Sequence, residues 1–251
     1  MKFVLPMLVV FLVGCGAANV TQRSSTGSPT PATPRGVVSI DFDDGYESSY
    51  VNGLPIVETA GFKTTQFIIT KRLDTPGYVT TGQMLAMQNS GHEIGAHTRT
   101  HLPLSTLNAA QQEDEIVGSL TDLKTLGVNA TSFAYPYGEY NDTTLSIVGD
   151  AGFLSARTTQ RGFDDSSSNR LLLKSYVIGP DGIDTLTTID DAIDEAQTNG
   201  TWLILVFHRI DETGQRTSIP HELLQQIVDH LVQQKTPVVT TRAALDMYNL
   251  K

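Results

Sequence analysis

One cysteine, Cys15, stands in 251 residues, so an intramolecular disulfide is impossible and a cysteine-only metal site is excluded. Positive charge is scarce as well: 17 Lys and Arg face 27 Asp and Glu, a formal charge of −10. No basic stretch is large enough to follow a phosphate backbone, which argues against nucleic acid as a partner. Hydrophobic residues make up 39% of the chain but are too dispersed for a protein of many membrane spans. The same share is too high for a disordered chain, and the length suffices for one sizeable core without a second domain. No repeat of fixed period is present, and nothing in the sequence names a protein partner.

The cysteine's position is informative. Lys2 is followed by an apolar run, residues 3–13, too short to cross a bilayer as a mature helix. The run ends in Leu12-Val13-Gly14-Cys15, which resembles the bacterial lipobox. An ordinary signal peptide or a buried apolar segment would also accommodate these residues. The lipobox reading makes residues 1–14 a lipoprotein signal peptide and Cys15 the acylated first residue, anchored to a bacterial membrane outside the cytoplasm. Losing Lys2 takes the formal charge from −10 to −11. Residues 15–36, rich in Ser, Thr and Pro, then form a flexible tether, and residues 37–251 the folded domain.

From Val37 onward, short β-rich runs alternate with helical patterns. The predicted strands are 37–42, 64–70, 93–96, 131–134, 154–158, 171–178, 202–207 and 236–240. The predicted helices are 50–60, 82–89, 109–126, 143–151, 188–198 and 220–234, the third carrying Ile116, Leu120, Leu123 and Leu126 at helical spacing. Such alternation predicts a single α/β domain with a parallel sheet, and so many repeats predict a (β/α) barrel, closed or nearly so. The acidic runs Glu113-Asp114-Glu115 and Asp190-Asp191 lie near helix N-termini, where the dipole and solvent account for them.

Three clusters stand where predicted strands end, the place where such barrels carry their sites. Asp43-Asp44-Gly45 follows the first strand and could also be a plain tight turn. His97 and His101 follow the third, close enough in sequence to reach one metal ion or to be unrelated surface histidines. His92-Glu93-Ile94-Gly95-Ala96-His97 is one residue too long for the metalloprotease H-E-x-x-H pattern. His208 ends the apolar run 202–207, as a functional group or as a capping residue. Together they make a coherent Asp-His-His site with a second carboxylate for a base and a separate imidazole for an acid.

The ordered set Phe42-Asp43-Asp44-Gly45, His97-Thr98-x-x-His101, Tyr135-Pro136-Tyr137-Gly138 and the strand ending in His208 resembles the polysaccharide deacetylase family of metal-dependent carbohydrate esterases. The form Phe133-Ala134-Tyr135-Pro136-Tyr137-Gly138 is similar to that of poly-N-acetylglucosamine deacetylases. The resemblance implies a deformed or incomplete (β/α) barrel that removes acetyl groups from sugar polymers. It implies Asp43 as base, and Asp44, His97 and His101 as ligands of one divalent ion, Zn²⁺ first, with Co²⁺ or Ni²⁺ as alternatives. It implies the Tyr137 backbone N–H as an oxyanion donor and His208 as the acid. Ile204 and Val206 would border an acetyl pocket, with Tyr135 and Pro136 also against substrate. The expected substrate is an N-acetylglucosamine-containing envelope or extracellular polysaccharide. An acetylxylan-type O-deacetylase and a non-catalytic carbohydrate-binding lipoprotein are the alternatives.

Two departures stand out. Ala134 stands where the resembled family's third motif often carries an arginine that positions the catalytic Asp, and that family's Asp-x-x-Asp-Trp-like segment supporting the catalytic His is not recognisable. Arg157, near the end of the fifth strand, is the residue expected to replace the missing arginine, although strand alternation leaves open which face it takes.

Overall fold

Val37 and then residues 38–42, apolar on every second position with Ser39 and Asp41 between, form the central strand β1 (Val37–Phe42) of the computed structural model. The structure describes residues 1–3, 36–180, 182 and 185–250; Cys15 and most of the expected leader and tether lie outside them. Around β1 are β2 (Thr65–Ile68), β3 (Glu93–Ala96), β4 (Ser132–Ala134), β5 (Ser155–Arg157), β6 (Tyr176–Val177) and β7 (Trp202–Phe207). They make one parallel sheet in the order β5-β4-β3-β2-β1-β7-β6. Helices α1 (Leu54–Thr59), α2 (Thr81–Asn89), α3 (Ala109–Thr125), α4 (Asp142–Asp150), α5 (Leu186–Asn199), α6 (His221–Gln234) and α7 (Thr241–Met247) follow the strands. A two-stranded parallel pair, β8 (Arg209–Ile210) with β9 (Ser218–Ile219), stands apart.

The sheet separates two apolar layers. Val38, Ile40 and Phe42 pack outward with the helices, for example with Leu224, Ile227, Val228 and Leu231 of α6, each contributing roughly 1.5–3 kcal/mol by burial. The alternate side chains face inward, where Val37, Trp202, Ile204 and Val206 meet Leu173, Ala244 and Leu245. Higher in the same interior the residues turn polar: Ser39, Asp41, Thr65, Ser155 and Arg157 are all buried. Gly95 is required here, because a Cβ at that position would stand 2.5 Å from the Phe67 ring. Because all seven strands run in parallel, their C-terminal ends bring Asp43, His97, Tyr135 and His208 to one end of the sheet.

Three expectations need correction. The predicted strand 171–178 splits: Leu173 bridges Arg157 of β5, and only Tyr176 and Val177 pair with β7, so this segment links the two sheet edges. The predicted strand 236–240 is a single bridge between Val38 and Val238, since Pro237 has no N–H to extend a ladder. The helix predicted for 50–60 begins as a π-turn over Ser49–Gly53 and becomes α1 where Pro55 also lacks an N–H. Helix α7 lay outside the predicted elements. It starts at Thr240, whose hydroxyl accepts from the Ala243 N–H, and Thr241 donates from Oγ1 to Asp41 at 3.0 Å.

Candidate active site

The turn after β1 places Asp44 at φ 70° and the loop after β3 places His101 at φ 66°. Left-handed backbone is unfavourable for residues with a Cβ, and Thr98 and Tyr137 share it, so half of the eight such non-glycine residues among those described cluster here. The outcome is a triangle of ligand atoms. Asp44 Oδ1 lies 3.5 Å from His97 Nε2 and 3.3 Å from His101 Nε2, and the two imidazole nitrogens are 3.2 Å apart. Three ligands held tetrahedrally on one zinc-sized ion stand about 3.3–3.5 Å from each other. His97 Nδ1 donates to the Ala134 carbonyl at 2.7 Å, which fixes the tautomer and leaves Nε2 as a lone-pair donor. Asp44 Oδ1 is buried without a hydrogen-bond partner, and a cation there would satisfy it. The residues fit a divalent metal.

Beside the triangle, Asp43 is held by Arg157. One guanidinium nitrogen, Nη2, donates to both carboxylate oxygens of Asp43 at 2.6 Å, and Nε lies 3.2 Å from Asp41 Oδ2. Arg157 is 1% exposed, with the Phe67 ring 5.2 Å beneath its charged carbon. The inward face of β5 is therefore the one carrying Ser155 and Arg157, and Ala134 stands beside Arg157 in the β4–β5 register. In the metal-free chain, burial would raise Asp43, but Arg157, then His97 and His208, hold it below the ordinary carboxylate range. Burial pushes Asp41 up to about 7 against the pull of Arg157. His97 lies above its usual value because the Asp44 and Asp43 carboxylates outweigh its burial, whereas burial and the His97 charge push His101 down to about 4.

The loop between the histidines is anchored by residues that the sequence reading assigned to solvent and the helix dipole. Buried Glu115 of α3 accepts from the backbone N–H groups of Arg99 and Thr100 at 3.0 and 2.8 Å. Arg99 in turn binds Asp114 at 2.7 Å and Asp122 with two donors at 3.0 Å. An arginine between two histidines, with carboxylates along the next helix, was the available signal.

His208 faces the same cavity, of about 680 Å³, which Asp43, Asp44, His97, His101, Tyr135 and Tyr137 also line. Burial pushes its imidazole below the ordinary value, which makes the protonated form a stronger acid, and its Nδ1 has no partner among the described residues. The Tyr137 ring packs 4.7 Å from that of His101 and remains 54% exposed. Tyr135 is nearly buried, its hydroxyl donating to the Leu171 carbonyl at 3.0 Å. The expected acetyl-pocket residues Ile204 and Val206 belong to the interior cluster below the site, and Pro136, expected against substrate, is buried and does not line the cavity. Strand alternation put them on the His208 face correctly, but each step down that face descends into packed core. The apolar wall of the cavity near this end of β7 is Val177 and Tyr176.

The sequence profile of polysaccharide deacetylases matches residues 30–156, half of the chain. The chain belongs to the polysaccharide deacetylase family. It is 35% identical over 148 residues to YxkH of Bacillus subtilis (strain 168), covering 57% of this chain and 52% of that protein. It is 29% identical over 156 residues to a chitin deacetylase of Pestalotiopsis sp., covering 59% and 51%. The chain thus spans about half the length of these curated relatives. Among solved structures, the Streptococcus pyogenes deacetylase PplD in complex with acetate aligns with a TM-score of 0.53 at 30% identity, over 54% of this chain and 62% of that one. The Xyl-CE4 domain of a multidomain xylanase from a Trinervitermes trinervoides hindgut metagenome shares the fold at 21% identity and a TM-score of 0.61, over 86% and 92%.

Proposed function

We propose that this deacetylase-family chain hydrolyses acetyl groups from N-acetylglucosamine-containing polysaccharide. The observation that carries the reading is the Asp44-His97-His101 triangle with the arginine-held carboxylate of Asp43 beside it. Asp44, His97 and His101 hold one divalent ion, Zn²⁺ in the first instance. Such an ion polarises a carbonyl and makes water a stronger acid. Asp43, kept ionised by Arg157, takes the proton of the attacking water. The backbone N–H of Tyr137 donates to the oxygen that gains charge in the tetrahedral transition state. His208 delivers a proton to the leaving nitrogen. The family match and the chitin deacetylase relative support a polymer of acetylated sugars as substrate.

The test is acetate release by the purified chain from N-acetylglucosamine oligomers, with acetylxylan as comparison and added Zn²⁺ or Co²⁺. Acetate should appear from the amino-sugar polymer, and His101→Ala should lose both bound metal and activity. Unchanged metal content in that variant would overturn the ligand assignment. Our reading also includes Cys15 as a lipid attachment point outside the cytoplasm, where each buried methylene adds about 0.8 kcal/mol to membrane partitioning.

A further inference from the structure

An acidic chain would be expected to present an acidic or neutral cleft, yet the mouth of this cavity is lined with arginine. Arg72, Arg161, Arg209 and Arg216 all border it, the last already engaged within the chain, and its only carboxylates among the described residues are Asp43 and Asp44. Those two are engaged deep in the site, by Arg157 and the histidines. The first three arginines follow β2, β5 and β7, so they are spaced around the mouth rather than gathered on one loop.

Each is held by a tyrosine face. Arg72 lies 5.5 Å over the Tyr78 ring, Tyr78 stacks on Tyr46 with centroids 5.1 Å apart, and Arg209 lies 3.7 Å over Tyr46. Arg161 lies 4.8 Å over Tyr176. Stacking occupies the flat face of a guanidinium and leaves its in-plane N–H fork for another partner. No hydrogen bond or ion pair ties these three side chains to a described protein acceptor, so the donors are available. The carboxylates next in sequence have other hydrogen-bond partners, Asp74 accepting from Thr81, Asp211 from Thr213 and Ser218, and Glu212 pairing with His221, although the Asp211 charge still acts on Arg209. Arg72 and Arg161 are therefore the guanidinium groups that no described carboxylate pairs with, and together the ring biases the potential positive where substrate enters.

We infer that the substrate is an anionic glycan: an N-acetylated polymer whose neighbouring units carry carboxylate or phosphate oxygens, which Arg72, Arg161 and Arg209 bind. The inference rests on the deacetylase reading for the acetyl group and adds the charge of the polymer around it. A planar fork matches a carboxylate or phosphate in a way that a neutral sugar hydroxyl does not. The same ring disfavours the cationic amino sugar that N-deacetylation leaves behind, which assists release of product.

The experiment compares one polymer in two charge states. A polysaccharide alternating N-acetylglucosamine with glucuronate is used as such and after reduction of its carboxyls to alcohols. A phosphodiester-linked N-acetylglucosamine polymer forms a third arm. Binding to the zinc-loaded full chain is measured by affinity electrophoresis or calorimetry, and acetate is measured in parallel. The expected dissociation constant is at least about 10-fold lower for the uronate polymer than for its reduced form at low salt, the ratio shrinking toward 1 in about 0.5 M salt. Tight binding of the phosphate polymer alone would assign the arginines to phosphate rather than carboxylate, within the same inference. The combined variant Arg72→Gln, Arg161→Gln and Arg209→Gln should bring the ratio near 1 with metal content unchanged. If that variant does not fold, Arg72→Gln and Arg161→Gln singly should each lower the ratio two- to five-fold. Equal binding of anionic and neutral polymers by the unaltered chain, or a preference that survives the arginine variants, overturns the inference. Acetate release with no charge preference leaves the deacetylase reading standing and removes this one. A charge preference with no acetate from any polymer does the reverse.

Discussion

Arg157 sits between Asp41 and Asp43 with Phe67 beneath it, and its removal would leave two buried carboxylates facing each other. Breaking a buried pair by deleting one partner costs about 3–5 kcal/mol, because the remaining charge is left without compensation. Arg157→Gln should therefore lower stability by that order and turnover by at least about 10²-fold, while Asp44, His97 and His101 still bind metal. Arg157→Lys should restore much of the stability but little of the turnover, since an ammonium cannot span both carboxylates as the planar group does. The decisive measurements are kcat on acetylated oligomers, metal content and thermal unfolding of both variants. A Gln variant with full kcat would show that Asp43 needs no cation beside it. That an arginine would approach Asp43 from residue 157 was readable from the sequence, because Ala134 left the orienting position empty and the next strand carried one. Which face of β5 it used was not, because both faces of that short strand are buried.

At the scale of elements, the site depends on how β2 and β3 lie against each other. Gly95 of β3 faces the Phe67 ring, and that ring is the floor on which the Arg157 guanidinium lies. Gly95→Ala forces a methyl into the ring, a typical overpacking change of about 1–3 kcal/mol, or roughly 2–12 °C in melting temperature for a chain of this size. Differential scanning calorimetry checks this; an unchanged melting temperature would mean that Phe67 shifts at no cost. Helices with a clear apolar stripe, such as α5 and α6, were legible from period alone. The segment 236–240 was not. It is β-rich, but Pro237 and the competing neighbours of β1 reduce its pairing to one bridge, and the chain turns at once into α7.

For the molecule as a whole, the lipobox reading concerns residues outside those the structure describes, and its consequence is a location. Expressed in a bacterium, the full chain should sediment with membranes, and Cys15→Ala should leave it unprocessed and without acyl chains. Mass spectrometry of the mature N-terminus checks both, and an unmodified terminus at another residue would remove the proposal.

The order of chemistry along the chain was determined by the sequence alone. Two acids after one apolar run, two histidines after another and one histidine ending a third define the site, because parallel strands bring their C-terminal ends together whatever the intervening loops do. Period and residue type are local properties, and they suffice for that. What the tertiary structure decided is everything that depends on depth and on partners distant in sequence. It buried Ile204 and Val206 below the site, because successive residues on one strand face differ in height as well as direction. It turned Glu115 from a solvated helix charge into an anchor of the histidine loop, since only docking of α3 beside β3 brings it there, while Asp114 stays exposed beside Arg99. And it gathered Arg72, Arg161 and Arg209, separated by dozens of residues, around one opening, a convergence set by the curl of the sheet that no spacing in the sequence records.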